Sequence, residues 1–254
     1  MNNKKPKVFI SIVSHGHSEL IQKNMNLDEL SKYFYLIIKS NKENDLFDIR
    51  PNVDWIDEHY GLGFGENNNY IYNYCCNILG MTENDFFIVC NPDVIIKPDV
   101  INDLIESMLN DSCMLASINL FKDSDYNIHD YSIRNYPTLK VFIKSFLGLG
   151  NSTLIDKEKI KSKTYVDWAA GSFLAFKASH YGSLNGFDTR FFMYCEDIDI
   201  CFRSQIKGVK LLYYPDLKAI HLAQHNNRKI LSKHMFWHIT SALKFLLLKH
   251  KKSI

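Results

Sequence analysis

The chain has 254 residues, is 46% hydrophobic, and carries 30 basic against 28 acidic side chains for a formal net charge of +2. That size and apolar content bury a sizeable core and exclude intrinsic disorder. The near balance of charge excludes a dedicated nucleic-acid binder, which needs a strongly basic domain.

Residues 7–14 (KVFISIVS) form a continuous apolar run rich in β-branched side chains, the pattern of a strand buried on both faces. Helical character over 18–32 is followed by a second buried strand at 35–39 (YLIIK) and a third at 53–56. A glycine-rich loop at 61–65 leads into a helix over 66–79, a strand at 86–90 (FFIVC), and a helix over 99–109 behind Pro98. Strands alternating with helices predict a parallel sheet with crossover connections. Further on, a strand is expected at 113–119, a polar loop at 123–134, an amphipathic helix at 137–149, and a strand running from Trp168 to Phe176. A helix over 197–207 ends at Gly208 as a left-handed C-cap, and a strand at 209–214 is stopped by Pro215. No linker divides the two halves, so residues 1–231 are read as one catalytic domain and 232–254 as a C-terminal helix with a basic tail. The cysteines, none in a Cys-x-x-Cys pair, are expected as buried thiols of a reducing compartment, with a zinc site as the alternative. The N-terminal apolar run is too short for a signal peptide, and no stretch of 18 apolar residues predicts a membrane-spanning helix. A cytosolic protein, or one attached to a membrane from the cytosolic side, is expected.

Four segments carry candidate chemistry. Asn91-Pro92-Asp93 stands at the mouth of a buried strand, where open α/β sheets bind ligands. Pro92 stiffens the turn, which suits either an ordinary Asx turn or an oxygen-rich hold on a divalent cation. In YCEDIDICFR (194–203), Glu196 and Asp197 open a helix behind the aromatic residues Phe191, Phe192 and Tyr194. Acidic residues there either complement the helix dipole or supply a general base, and Asp199 and Arg203 are spaced to pair. In GLGFGENNN (61–69) the glycines permit close backbone approach, without phosphate-loop or dinucleotide-fingerprint spacing. His221, at the end of a short strand after Pro215, and His225 four residues later are candidate metal ligands.

In order, these segments resemble a family 2 glycosyltransferase of the GT-A fold, an α/β fold whose Rossmann-like, mostly parallel central sheet is flanked by helices. The similarity runs to about residue 230. It is densest over 171–221, and VSHGH, GFGENNN, NPDV, HDYSIRNYP and VDWAAGSF resemble the bacterial O-antigen rhamnosyltransferases. The resemblance implies an inverting, metal-dependent enzyme that moves rhamnose from dTDP-rhamnose to an undecaprenyl-diphosphate-linked saccharide, N-acetylglucosamine first, in lipopolysaccharide assembly. It makes Asp93 and His221 ligands of Mg²⁺ or Mn²⁺, with Asn91 in place of the first aspartate of the Asp-x-Asp motif. Asp197 becomes the catalytic base, with Glu196 supporting it or contacting the acceptor, and Trp168 a second acceptor contact. Ser14, Ser40, Asn41, Gly63, Phe64, Gly65 and Asn69 border the nucleotide-sugar donor. Ser40-Asn41 departs from the family's Asp-Asn, a base-reading pair. A family 2 transferase using galactose or glucose, or a non-catalytic nucleotide-sugar-binding subunit, are the rival readings.

In the tail, Met235, Phe236, Ile239, Leu243, Leu246 and Leu247 fall on one helical stripe. Lys244, Lys249, Lys251 and Lys252 lie off it or beyond it. Either the helix packs on the core, or it lies on an anionic membrane surface at the cytosolic face of the bacterial inner membrane.

Overall fold

The computed structural model describes residues 5–48, 50–146, 148–223 and 233–252. His225 therefore lies outside the described residues. In the first half, strands β1 (Val8–Ser14), β2 (Tyr35–Ser40), β3 (Val53–Ile56) and β4 (Phe86–Cys90) form where the apolar runs predict them. They pair in parallel in the order β3-β2-β1-β4, with Ile12 opposite both Ile38 and Cys90. Side chains alternate across the sheet, so Phe9, Ile37, Phe87 and Val89 enter one core while Ile10, Ile12, Leu36 and Ile88 enter another on the opposite face. Helix α3 (Phe64–Asn77) seals the first core through Ile71 and Cys75. Helices α1 (Ser18–Asn24), α2 (Leu27–Leu30) and α4 (Pro98–Asn110) seal the second. The single helix expected over 18–32 is two short ones, because Asn26 takes a left-handed conformation (φ 40°) between them.

The second half completes the sheet with a change of direction. After the two-residue β5 (Val94–Ile95) come β6 (Leu115–Phe121), β7 (Ile133–Arg134), α5 (Leu139–Phe146), β8 (Thr164–Val166), β9 (Trp168–Ala169), β10 (Phe173–Lys177) and α6 (Ala178–Ser183). Then follow α7 (Glu196–Ile206), β11 (Leu211–His221) and α8 (Lys233–Lys252). Strand β10 lies antiparallel between β4 and β6, so the sheet is mixed rather than wholly parallel. Its full order is β3-β2-β1-β4-β10-β6-β11-β5, with β8 on β11.

Two strand expectations are corrected. The strand expected from Trp168 to Phe176 is broken: β9 leaves to pair with β7 in a small second sheet, and residues 170–172 cross between the two sheets. Pro215 does not end its strand. β11 continues to His221 by slipping register between Tyr214 and Lys218, a bulge that tolerates the missing N–H. The longer strand sets His221 opposite Val94, next to Asp93.

Helix α8 uses two faces. Inward, Phe245 is fully buried between the rings of Tyr136 and Phe202 (centroids 6.3 and 5.7 Å), beside buried Ala242. Ser241 Oγ donates to the Met193 carbonyl (3.0 Å) and Lys244 Nζ to the Arg190 carbonyl (2.8 Å). Outward, Phe236, Leu243 and Leu247 of the predicted stripe are 67%, 51% and 64% exposed. The stripe is thus divided: Leu246 packs on the core, while Phe236, Leu243 and Leu247 face outward. Helix α5 lies alongside, with Phe142 against His238.

Because Phe245 fills a closed aromatic niche, Phe245→Ala is expected to lower unfolding stability by about 3–5 kcal/mol. Urea unfolding of the whole chain measures it; a loss under about 1 kcal/mol would mean that α8 is not part of the core.

Candidate active site

The carboxyl ends of β1, β4 and β11 meet at one edge of the sheet. At the end of β4, the Asn91 N–H donates to the Ser172 carbonyl (3.0 Å) and Val94 N–H returns to Asn91 O (3.1 Å), closing the turn around Pro92. Leu222 N–H donates to Asp93 O (3.1 Å), stitching the turn to the end of β11. Here His221 Nε2 lies 3.3 Å from Asp93 Oδ1, and its Nδ1 lies 2.8 Å from Asp130 Oδ2. Burial disfavours the imidazolium, but the hydrogen bonds to Asp130 and Asp93 outweigh it and raise the His221 pKa to about 9. Burial also opposes charge on Asp130, yet His221 and Lys157 hold its carboxyl below the usual range. Asp130 was invisible to pattern reasoning: it sits in a stretch expected as polar loop, and only its place in HDYSIRNYP marked it.

The second cluster stands at the start of α7. Its N-cap, Cys195, and the preceding Tyr194 both have left-handed backbones (φ 66° and 69°), a costly pair for residues with side chains. The following Asp197 is half-buried. Its Oδ2 accepts from Gly171 N–H (3.2 Å) and its Oδ1 from Ile198 N–H (2.8 Å). Burial raises the Asp197 pKa, while these N–H groups and the positive charge of Arg134 oppose the rise. Glu196 is buried with no partner for Oε2, and burial together with the Asp197 charge lifts its pKa well above the carboxylate range. Burial thus favours the neutral form of both carboxyls, and the Asp197 charge adds to it at Glu196. Asp199 pairs with Arg203 (2.6 Å), which also binds the carbonyls of Leu184 and Gly186, so that pair ties α7 to the preceding turn.

The other predicted residues build the walls. The Ser14 hydroxyl accepts from His17 N–H (3.0 Å). Ser40, fully buried, donates to Asp45 O and accepts from Trp55 Nε1 (3.0 and 2.9 Å), so its hydroxyl supports the 41–48 loop. Asn41 holds both the N–H and the carbonyl of Leu62 (2.9 Å each), fixing the glycine loop against β2. A Cβ on Gly63 would lie 2.4 Å from the Phe192 carbonyl oxygen, and one on Gly65 2.5 Å from Phe187. Phe64 packs edge-on against Phe187 and donates its N–H to Phe192 O. Asn69 joins the same seam: Oδ1 accepts from Tyr181 and Phe187, and Nδ2 donates to Phe187 O. The glycine loop and Asn69 therefore clasp the aromatic run that precedes α7. Trp168, expected at the acceptor, is buried beneath Arg134, and its Nε1 is bound to Asn135 O.

Asp93 and His221 present a carboxylate oxygen and an imidazole nitrogen side by side, a donor set that fits Mg²⁺ or Mn²⁺ when other oxygens complete the shell. Among the described residues, no group of three or more His, Cys, Asp and Glu side chains is arranged to hold an ion by itself.

No family model matches the chain. It is 39% identical over 251 residues to Rhamnosyltransferase WbbL of Escherichia coli (strain K12), covering 94% of this chain and 92% of that protein. It is 28% identical over 211 residues to N-acetylglucosaminyl-diphospho-decaprenol L-rhamnosyltransferase of Mycobacterium tuberculosis (strain CDC 1551 / Oshkosh), covering 79% of this chain and 68% of that one. Among solved structures, mannosyltransferase PcManGT from Pyrobaculum calidifontis, in complex with GDP-Man and Mn²⁺, superposes with a TM-score of 0.56 at 13% identity, over 95% of this chain and 65% of its own. GalNAc-T7 with UDP, GalNAc and Mn²⁺ superposes with a TM-score of 0.54 at 12% identity, over 87% of this chain and 44% of its own. The chain thus spans less than half of GalNAc-T7, and at these identities both likenesses are of fold.

The carboxyl pair predicts its own titration. The carboxyl carbons of Glu196 and Asp197 should titrate above the ordinary carboxylate range of about 4, as coupled steps. Asp197→Asn removes the neighbouring charge and should lower the remaining Glu196 transition, leaving it raised by burial. A ¹³C NMR titration reads both effects, and ordinary values for the pair would contradict the environment described.

Proposed function

We propose that this chain, which belongs to the family 2 glycosyltransferases of the GT-A fold and to their bacterial rhamnosyltransferase branch, moves rhamnose from dTDP-rhamnose to a sugar on a lipid diphosphate, with inversion at the anomeric carbon. The acceptor is read as an undecaprenyl-diphosphate-linked saccharide, N-acetylglucosamine first, in O-antigen and lipopolysaccharide assembly. The names of the two relatives support the sugar and the acceptor class. One structural observation carries the chemistry: Gly171 N–H binds the Asp197 carboxylate while the next residue's carbonyl, Ser172 O, binds Asn91 N–H. Backbone groups of two neighbouring residues thus join a base to the turn that bears Asp93.

In this reading Asp93 and His221 hold a divalent cation, which when bound supplies Lewis-acid stabilisation of the leaving diphosphate. Asp197 takes the proton of the acceptor hydroxyl as that oxygen attacks the anomeric carbon. Glu196, kept protonated by burial, limits the negative charge beside the base and keeps a hydrogen available to the acceptor. Arg134 and the Gly171 N–H keep the Asp197 carboxylate oriented and ionised. A base with a raised pKa works closest to neutral pH. It is protonated as pH falls through that pKa, so turnover should be lost on the acid side above the usual carboxylate range.

The rival donor reading, galactose or glucose, is kept open by Ser40-Asn41, whose side chains are occupied within the fold.

Residues 1–231 form the transferase domain in this proposal, and 232–254 a helix that packs on it and faces the cytosolic side of the bacterial inner membrane. Exposed Phe236, Leu243 and Leu247 on α8, exposed Leu139 and Ile143 on the adjoining α5, and exposed Lys140, Lys144 and Lys244 support a peripheral, anionic-lipid contact. No helix among the described residues is long and apolar enough to cross a membrane.

Transfer from a panel of dTDP-, UDP- and GDP-sugars to a synthetic lipid-diphosphate N-acetylglucosamine tests the assignment. dTDP-rhamnose should be preferred, excess EDTA should stop the reaction, and Asp197→Asn should lower its rate roughly 10²–10⁴-fold with dTDP affinity nearly unchanged. Preference for another sugar, or an Asp197→Asn rate within a few-fold of wild type, would overturn the donor or the base respectively.

The membrane contact has a separate test. Phe236→Glu combined with Leu243→Glu should release the protein from phosphatidylglycerol vesicles in co-sedimentation at low salt. A wild-type chain that stays in the supernatant refutes the contact.

A further inference from the structure

The structure assigns Asp130 as the positioning residue of the His221 imidazole, with buried Lys157 as the counter-charge that permits a carboxylate in that place. This rests on the reading of Asp93 and His221 as cation ligands.

Asp130 comes from a segment rich in polar residues, yet only 9% of it is exposed. Its backbone N–H donates to Leu120 O (2.9 Å), and its carboxylate meets His221 Nδ1 at 2.8 Å. Only Nε2 of the ring then faces Asp93. A ring flip would put Cδ2 where Nδ1 stands and Cε1 where Nε2 stands, so the carboxylate on the Nδ1 side favours one orientation and one proton position. A carboxylate behind a ligating histidine also makes the ring a better electron-pair donor.

A lone buried carboxylate is costly, and the fold answers with a lysine. Lys157, 5% exposed, donates from Nζ to Ser132 Oγ (2.8 Å) and to Leu120 O (3.3 Å), the same carbonyl that binds the Asp130 N–H. Its ammonium also lies over the Tyr213 ring (5.8 Å). Burial lowers the Lys157 pKa to about 7 against the attraction of Asp130. The shared Leu120 carbonyl places the lysine charge behind the Asp130–His221 pair.

The experiment measures Mn²⁺ binding in the presence of dTDP by electron paramagnetic resonance, on the full chain. Asp130→Ala should weaken Mn²⁺ by about 10–100-fold. Asp130→Asn, which keeps an acceptor but not the charge, should fall between Ala and wild type. Transfer by the variants should recover at saturating Mn²⁺, a response that loss of packing alone would not give. In the metal-free wild type, a ¹⁵N-edited spectrum should contain a protected His221 Nδ1–H signal, and Asp130→Ala should lose it.

Wild-type Mn²⁺ affinity in either folded variant overturns the role of Asp130 alone. Absence of Mn²⁺ binding by wild type overturns the metal reading and this inference with it. If neither variant folds, the wild-type spectrum decides, because an exchanging, unbonded Nδ1 refutes the hold of Asp130 on the ring.

Discussion

The architecture depends on two backbone hydrogen bonds made by adjacent residues. Gly171 gives its N–H to Asp197 and Ser172 its carbonyl to Asn91, so the start of α7 and the end of β4 are held from a single point. That point exists because β10 runs antiparallel to β4, bringing Phe173 opposite Cys90. A parallel strand would present its opposite end at this edge. A Cβ on Gly171 would sit 2.9 Å from the Phe64 ring, so a larger residue there would push that ring aside. The reversal at β10, between the parallel strands β4 and β6, is therefore what brings Asp197 and the Asp93 turn together.

Around this joint the chain stores strain and restrains it. Left-handed Tyr194 and Cys195 cost on the order of 1–3 kcal/mol each. Their neighbours hold them: Phe192 O accepts from Phe64, Met193 O accepts from Ser241, and the Tyr194 ring packs edge-on to His238. Hydrogen bonds worth about 1 kcal/mol each and an aromatic contact worth roughly 0.5–1.5 kcal/mol are comparable with that cost. The residues expected to border the sugar donor also serve as braces. Asn69 spends its whole amide on Tyr181 and Phe187, and Gly186 lacks the Cβ that would fall 2.1 Å from Asn69 Oδ1.

Much of this was legible from residue order, for a physical reason. An apolar β-branched run must be buried wherever it goes, so β1, β2, β3 and β4 appear within a residue of expectation. A run does not encode the direction of its partner, so the reversal at β10 was hidden. Nor does a proline declare whether it ends a strand or bulges one; β11 absorbs Pro215 because its register shifts between Tyr214 and Lys218. Asp93, His221, Glu196 and Asp197 could be picked out because each stands at the boundary of a regular element. Asp130 could not, since a loop has no period against which a residue stands out. Ser40 ends its strand where a ligand-facing residue is expected, and its hydroxyl also bonds Asp45 O and Trp55 Nε1, a role that sequence order does not encode.

The inward face of α8 also bears on synthesis. Domains fold as they emerge, N-terminal parts first, and α8 follows every other element along the chain. The sheet, the Asn91-Pro92-Asp93 turn and His221 can assemble while translation continues. The segment from Arg190 to Tyr194 cannot be fully secured until Ser241, Lys244 and His238 have left the ribosome. The turn before α7 is then secured later than the sheet it stands on, and a nascent polypeptide would hold that strained turn only weakly until α8 docks.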